Sequence, residues 1–263
     1  MPNPIALAIF DIDGVVRDVS GSYRRAIADT VEHFTQHYRP TPTDIDQLKS
    51  EGIWNNDWRA SQELIQRHGP ATGNTYSVSY DAIVAYFQER YRGRGEDPSQ
   101  WTGYITQEPV LMGAAYLARL AQAGIPSAFF SGATRGSARY ILQQRIGLTN
   151  PILIAMDDAP SKPDPTGLFI TVERLEATVP AGLPVLYAGD TVADMATVKA
   201  ARLQFPGRRW LGVGVLPPHV QTNLEYQTRY SKTLQAAGAD LIVPHVEQMT
   251  AKKIQALIQA ENS

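Results

Sequence analysis

Short apolar runs recur along this chain at strand length, and the stretches between them carry helical spacing. The first run, Ile5-Ala6-Leu7-Ala8-Ile9-Phe10, shows no polar alternation, as expected of a strand buried on both faces of a parallel sheet. Similar runs follow at Ile125–Phe130, Pro151–Met156, Pro184–Ala188, Trp210–Leu216 and Leu241–Val243. Helical patterns separate them at Val110–Ala123, Arg135–Ile146, Gly167–Ala177, Ala193–Ala201 and Tyr230–Ala237. Regular strand–helix alternation predicts an α/β fold with a doubly wound, mainly parallel sheet.

One long segment breaks the alternation. Between Ser20 and Tyr104 no run reads as a strand, whereas Ile27, Val31, Phe34 and Tyr38 follow helical spacing, as do Tyr80, Val84, Phe87 and Tyr91. Shorter helices fit at Ile45–Lys49 and Trp58–Arg67. The spacing predicts an inserted all-helical domain over 20–104, with 1–19 and 105–263 forming the α/β core. The crossings at Val19-Ser20-Gly21 and Gly103–Pro109 carry Gly and Pro and suit hinges.

Composition narrows the classes of function. A hydrophobic fraction of 43% with 19% charged residues excludes a disordered chain. A net charge of −2 without basic tracts lacks the footprint of a nucleic-acid binder. No apolar stretch reaches the roughly 20 residues of a membrane span, and Met1-Pro2-Asn3-Pro4 provides no basic start for a secretory signal. Zero cysteines exclude disulfides, thiolate metal sites and cysteine nucleophiles. A cytoplasmic protein, monomeric or a small homo-oligomer, with a small-molecule partner and neither nucleic acid nor membrane, is the expectation.

Polar residues at strand ends point to the chemistry, because ligands of open α/β sheets bind outside the carboxyl ends of the strands. The first run ends in Asp11-Ile12-Asp13-Gly14. Two carboxylates one residue apart repel unless a cation or a proton intervenes, and Mg²⁺ suits one carboxylate, a backbone carbonyl and several waters. Asp-Gly is also a common turn dipeptide. A calcium loop would need a ligand where Val15 stands. The next end, Phe130-Ser131-Gly132, offers a hydroxyl and backbone amides to a phosphate, or forms a plain turn. Lys162 is bracketed by Pro160, Pro163 and Pro165, and its compact charge suits a phosphoryl group or an aspartate. The fourth end supplies Asp190 and, one helical turn on, Asp194, which could equally serve the helix dipole.

Together, Asp11/Asp13, Ser131, Lys162 and Asp190/Asp194 resemble the four ordered motifs of the haloacid dehalogenase superfamily. The helical insertion is similar to the C1 cap of its subfamily I, on the branch of phosphoglycolate phosphatase-like proteins. The resemblance implies a Mg²⁺-dependent phosphatase acting on a small phosphorylated metabolite through an aspartyl-phosphate. It implies Asp11 as nucleophile, Asp13 as general acid/base, and Ser131 with the Gly132 amide as phosphate binders. Lys162 would balance charge at the phosphate. Asp11, Asp13, Asp190 and Asp194 would form the metal site, with Asp194 supporting the metal's water shell or Lys162. Departures are Ser161 before the motif lysine, where relatives carry Gly, and Val16-Arg17-Asp18-Val19 in place of the commoner Leu-x-Asp-Ser.

An acid at position 13 separates this chain from dehalogenases, which lack it and use no metal, and from P-type ATPases, which carry Thr there. A phosphomutase and a catalytically silent binding relative stay open as alternatives. For substrate selection the sequence offers Arg17, a cation near the hinge, and the loop Gly52-Ile53-Trp54-Asn55-Asn56-Asp57-Trp58. Trp54, Asn55 and Asn56 could contact a hydroxylated or ring-bearing leaving group, while Asn56 could instead cap the next helix.

Overall fold

In a computed structural model, which describes residues 3–54, 56–69 and 78–260, the first apolar run forms β1 (Leu7–Phe10), buried throughout. The chain then enters the helical insertion: α1 (Tyr23–Thr35), α2 (Pro42–Lys49), α3 (Asp57–Arg67) and α4 (Tyr80–Tyr91). After it come α5 (Ala114–Gln122), β2 (Ser127–Phe130), α6 (Arg135–Arg139), β3 (Leu153–Ile154), α7 (Thr166–Glu176), β4 (Val185–Gly189) and α8 (Val192–Gln204). The chain ends with β5 (Trp210–Val215), α9 (Leu224–Ala237), β6 (Leu241–Val243) and α10 (Ala251–Gln259). None of these helices is long and apolar enough to cross a membrane.

All six strands are parallel, in the order β3-β2-β1-β4-β5-β6. Side chains alternate across a strand, and β1 shows what this does. Ala8 and Phe10 join a core with Tyr116 and Leu120 of α5, Ala138 of α6 and Ile254 of α10. Leu7 and Ile9 join another with Leu168 and Val172 of α7 and Val198 of α8. Helices therefore cover both faces, and each fully buried Leu, Ile or Phe contributes about 1.5–3 kcal/mol. The strand order reverses between β1 and β4, the switch point at which such sheets bind ligands.

Val19–Pro109 clusters as one unit and Met1–Asp18 with Val110–Ser263 as the other. The insertion thus runs to Pro109 and not to Tyr104. Tyr104 donates its hydroxyl to Asp29 at 2.7 Å, Ile105 is fully buried, and Ser22 hydrogen-bonds Glu108, all among residues of the inserted unit. Within it α1 packs on α3 and α4, with Ile27, Val31, Leu64, Ile83 and Phe87 buried, and Arg24 pairs with Asp46 between α1 and α2.

Several boundaries differ from the sequence reading for local reasons. The helix α1 stops at Thr35 because Gln36 adopts φ 66° and closes it, leaving Tyr38 outside. Residues 110–113 are not helical: Val110 pairs antiparallel with Arg17, and the Leu111 amide donates to the Val16 carbonyl at 2.8 Å. The helix over 135–146 becomes π-helical at Tyr140–Arg145. The helix α9 starts earlier than Tyr230, because Asn223 caps it, and α10 has no counterpart in the sequence reading.

Candidate active site

The strand-end acids gather at the switch point. The Asp11 amide donates to the Ala188 carbonyl at 2.8 Å, which extends the β1–β4 ladder one residue past the strand and brings Asp11 beside the end of β4. Ligand oxygens of Asp11, Asp190 and Asp194 lie within 4.8 Å of one another, and all three residues are buried. Gly14, at φ +75°, makes room for this: a Cβ there would sit 2.0 Å from Asp190 Oδ2.

Lys162 enters the cluster from the loop before α7. Its Nζ is 3.0 Å from Asp11 Oδ2 and 2.6 Å from Asp194 Oδ1, with the side chain 1% exposed. The rings of Phe130 and Tyr187 flank the ammonium at 5.2 and 5.3 Å. Burial by itself would lower the ammonium, but Asp11 and then Asp194 outweigh it and hold Lys162 above its ordinary range. Burial pushes the Asp11 carboxyl up to about 7; Lys162 works against this, while Asp194 and Asp13 add to it.

Asp194 is held on every side. Thr191, the N-cap of α8, donates its amide (2.9 Å) and hydroxyl (2.7 Å) to Oδ2, and the Asp194 amide returns to the Thr191 hydroxyl at 3.3 Å. Oδ1 takes Lys162 and faces the Tyr187 hydroxyl at 3.0 Å. Burial alone would raise this carboxyl; Lys162 and the Thr191 hydrogen bonds keep it below its ordinary value. The Asp190 carbonyl accepts the Tyr230 hydroxyl at 2.9 Å.

Ser131 is 2% exposed at the end of β2; its amide donates to the Ile154 carbonyl and its hydroxyl accepts the Ala133 amide at 3.2 Å. Its side chain also helps to hold the Asp11 carboxyl down against burial. Gly132, half-buried, follows it in the same turn.

Asp13 does not join the three-acid cluster. After Phe10 the backbone curls, with the amides of Val15, Val16 and Arg17 all donating to the Ile12 carbonyl. This turn sends the Asp13 side chain to Arg17, whose Nε and terminal nitrogen each lie 2.6 Å from Asp13 Oδ1. Arg17, expected as a substrate-selecting cation, is fully buried and pairs with Asp13. Trp54 donates its indole N–H to Glu51 at 2.6 Å, and Asn56 caps α3 by accepting the Arg59 amide at 3.0 Å. Asn55 lies outside the described residues.

Sequence reasoning missed Tyr187 and Thr191. Tyr187 sits inside an apolar run and reads as core. The Thr191-x-x-Asp194 spacing, however, is a capping-box signature that was there to be used.

The donor set fits a hard divalent cation. Three buried carboxylates converge where a single ammonium pairs with two of them, Asp11 and Asp194, and such a gathering of acids out of solvent favours an added positive charge. All-oxygen ligation suits Mg²⁺.

Residues 5–202 match the family model described as haloacid dehalogenase-like hydrolase. Over 251 residues the chain is 28% identical to a Phytophthora nicotianae protein named imidazoleglycerol-phosphate dehydratase, covering 92% of this chain and 51% of that protein. The chain thus spans about half the length of this curated relative. Among solved structures, a phosphonoacetaldehyde hydrolase-like protein from Oleispira antarctica superposes with a TM-score of 0.71 at 15% identity, covering 99% of this chain and 95% of the other. CbbY from Rhodobacter sphaeroides, solved with phosphate, superposes with a TM-score of 0.63 at 16% identity, covering 93% and 96%. At such identities these two likenesses speak for the fold. The family match extends from the first residues before β1 to the last turn of α8 and so takes in every strand-end acid: the chain belongs to the haloacid dehalogenase-like hydrolases.

Proposed function

We propose that the chain is a Mg²⁺-dependent phosphomonoesterase that cleaves a small phosphorylated metabolite through an aspartyl-phosphate on Asp11. The observation that carries this reading is the meeting of Asp11, Asp190, Asp194 and Lys162 at the switch point between β1 and β4. When bound, the cation would supply Lewis-acid neutralisation of the phosphoryl oxygens, held by Asp11 and Asp190. Asp194, whose oxygens already serve Lys162, Tyr187 and Thr191, would act through Lys162.

In the first half-reaction an Asp11 oxygen bonds to phosphorus as the bond to the leaving oxygen breaks, and Asp13 gives that oxygen its proton. In the second, water attacks the same phosphorus, Asp13 takes the water's proton, and the Asp11–phosphorus bond breaks to release phosphate. Such acid–base help contributes about 10²–10⁴-fold. Lys162 and the Ser131–Gly132 turn stabilise the phosphoryl oxygens, so the protein's share is positioning and charge.

The test is phosphate release from a panel of sugar phosphates, phosphoglycolate-like acids and amino-alcohol phosphates. Ring-bearing esters belong in it because the Phytophthora relative is named for an imidazole-bearing phosphate. Release is expected from at least one compound, to require a divalent cation, and to vanish in Asp11→Asn. No release from any member with any divalent cation would overturn the proposal.

A further inference from the structure

The buried Arg17 is the largest fully buried side chain among the described residues, and the phosphatase chemistry above gives it no task. Its Nε and one terminal nitrogen converge on a single oxygen, Asp13 Oδ1, each at 2.6 Å. A charge-assisted fork of this kind fixes orientation as well as adding energy. The backbone on which it is mounted is itself fixed. The Arg17 carbonyl accepts the Gly14 amide at 2.9 Å, its own amide donates to Ile12, and it pairs with Val110 on the returning segment. Asp13, by contrast, is part-exposed, with 19% of its side chain accessible, and lies on the curled segment past the end of β1.

We infer that Arg17 is the positioning residue for Asp13: it clamps Oδ1 and thereby presents Oδ2 as the oxygen that exchanges the proton with the leaving group and then with water. The inference rests on the proposed role of Asp13 as acid and base. It makes Asp13 a preset donor whose geometry is held before substrate arrives, and geometry of this kind decides how much proton transfer contributes.

The experiment compares kcat/KM for an alkyl phosphomonoester, whose leaving oxygen needs a proton, with that for para-nitrophenyl phosphate, whose leaving oxygen does not. Wild type, Arg17→Leu, Arg17→Lys, Asp13→Asn and the double variant Arg17→Leu/Asp13→Asn are measured. Arg17→Leu is expected to lose on the order of 100-fold on the alkyl ester and under about tenfold on the aryl ester. Arg17→Lys should recover part of the alkyl activity, and adding Arg17→Leu to Asp13→Asn should cost little more. Arginine side-chain NMR of the metal-free protein reads the clamp directly: the Nε–H resonance of wild type is expected to shift and lose protection in Asp13→Ala, which removes the accepting oxygen.

Equal losses on both esters, additive losses in the double variant, or an Nε–H unchanged by Asp13→Ala would each overturn the inference. If Arg17→Leu does not fold, Arg17→Lys and the NMR decide it alone. Wild-type protein inactive on both esters would instead count against the phosphatase reading, and the NMR would still report on the clamp.

Discussion

Lys162 Nζ stands 2.6 Å from Asp194 Oδ1, and neither side chain reaches solvent. A buried ion pair is expensive to break from one side, because the partner left behind keeps its charge without compensation. Lys162→Met should therefore abolish turnover and lower stability by about 3–5 kcal/mol in urea unfolding near neutral pH. Adding Asp194→Asn should restore part of that stability, since the two changes act on one interaction.

The metal-free protein should lose stability as pH rises from about 4 towards 8. Burial lifts the Asp11 carboxyl to about 7, above its ordinary 3.8, so between those values the folded chain holds a proton that the unfolded chain has released. The stabilisation is full below the lower value and is lost through the upper one. Asp194 shifts the other way, and its effect falls below this window. Urea midpoints at pH 5 and pH 8 check the sign; Asp11→Asn should flatten the trend, and saturating Mg²⁺ should reverse it.

Gly14→Ala should disable the site without touching any acid. The added methyl would lie 2.0 Å from Asp190 Oδ2, at a backbone φ of +75° that costs an L-residue about 1–2 kcal/mol. The expected result is loss of the Mg²⁺-induced rise in Tm together with phosphate release. A normal Mg²⁺ response in this variant would mean that Asp190 is not a ligand.

Tyr187→Phe tests the support beneath Asp194. Its hydroxyl lies 3.0 Å from both Asp194 Oδ1 and the Phe130 carbonyl, in a fully buried setting. Removing a donor to a charged buried group costs about 1–3 kcal/mol. We expect a loss of that size by denaturant titration and a smaller fall in kcat than Lys162→Met produces.

The fold was legible wherever burial left a plain trace in residue type. Leu7 to Phe10 are apolar at every position because both faces of β1 are covered, and Asp11 stands out as the first polar side chain after them. Asp190 was legible in the same way after β4. Pairings between side chains were less so. Arg17 and Asp13 are four apart in a segment that is not helical, so no periodicity links them, and a buried arginine looks like an exposed one in the sequence. Two acids flanking Ile12 suggested a shared cation, but the turn around the Ile12 carbonyl directs Asp13 to the guanidinium. Val110 and Leu111 carry the apolar character of a helix start, yet they spend it on the ribbon beside Val16 and Arg17.

That ribbon has an evolutionary corollary. Because Arg17 and Val110 are antiparallel neighbours, the outgoing and incoming threads are already side by side where the insertion begins. A two-residue Asn-Gly turn joining them would complete an ordinary hairpin and let the intervening gene segment be excised or exchanged without redrawing the sheet. The fold thus carries a grafting point one turn past Asp11, where one module can be exchanged for another.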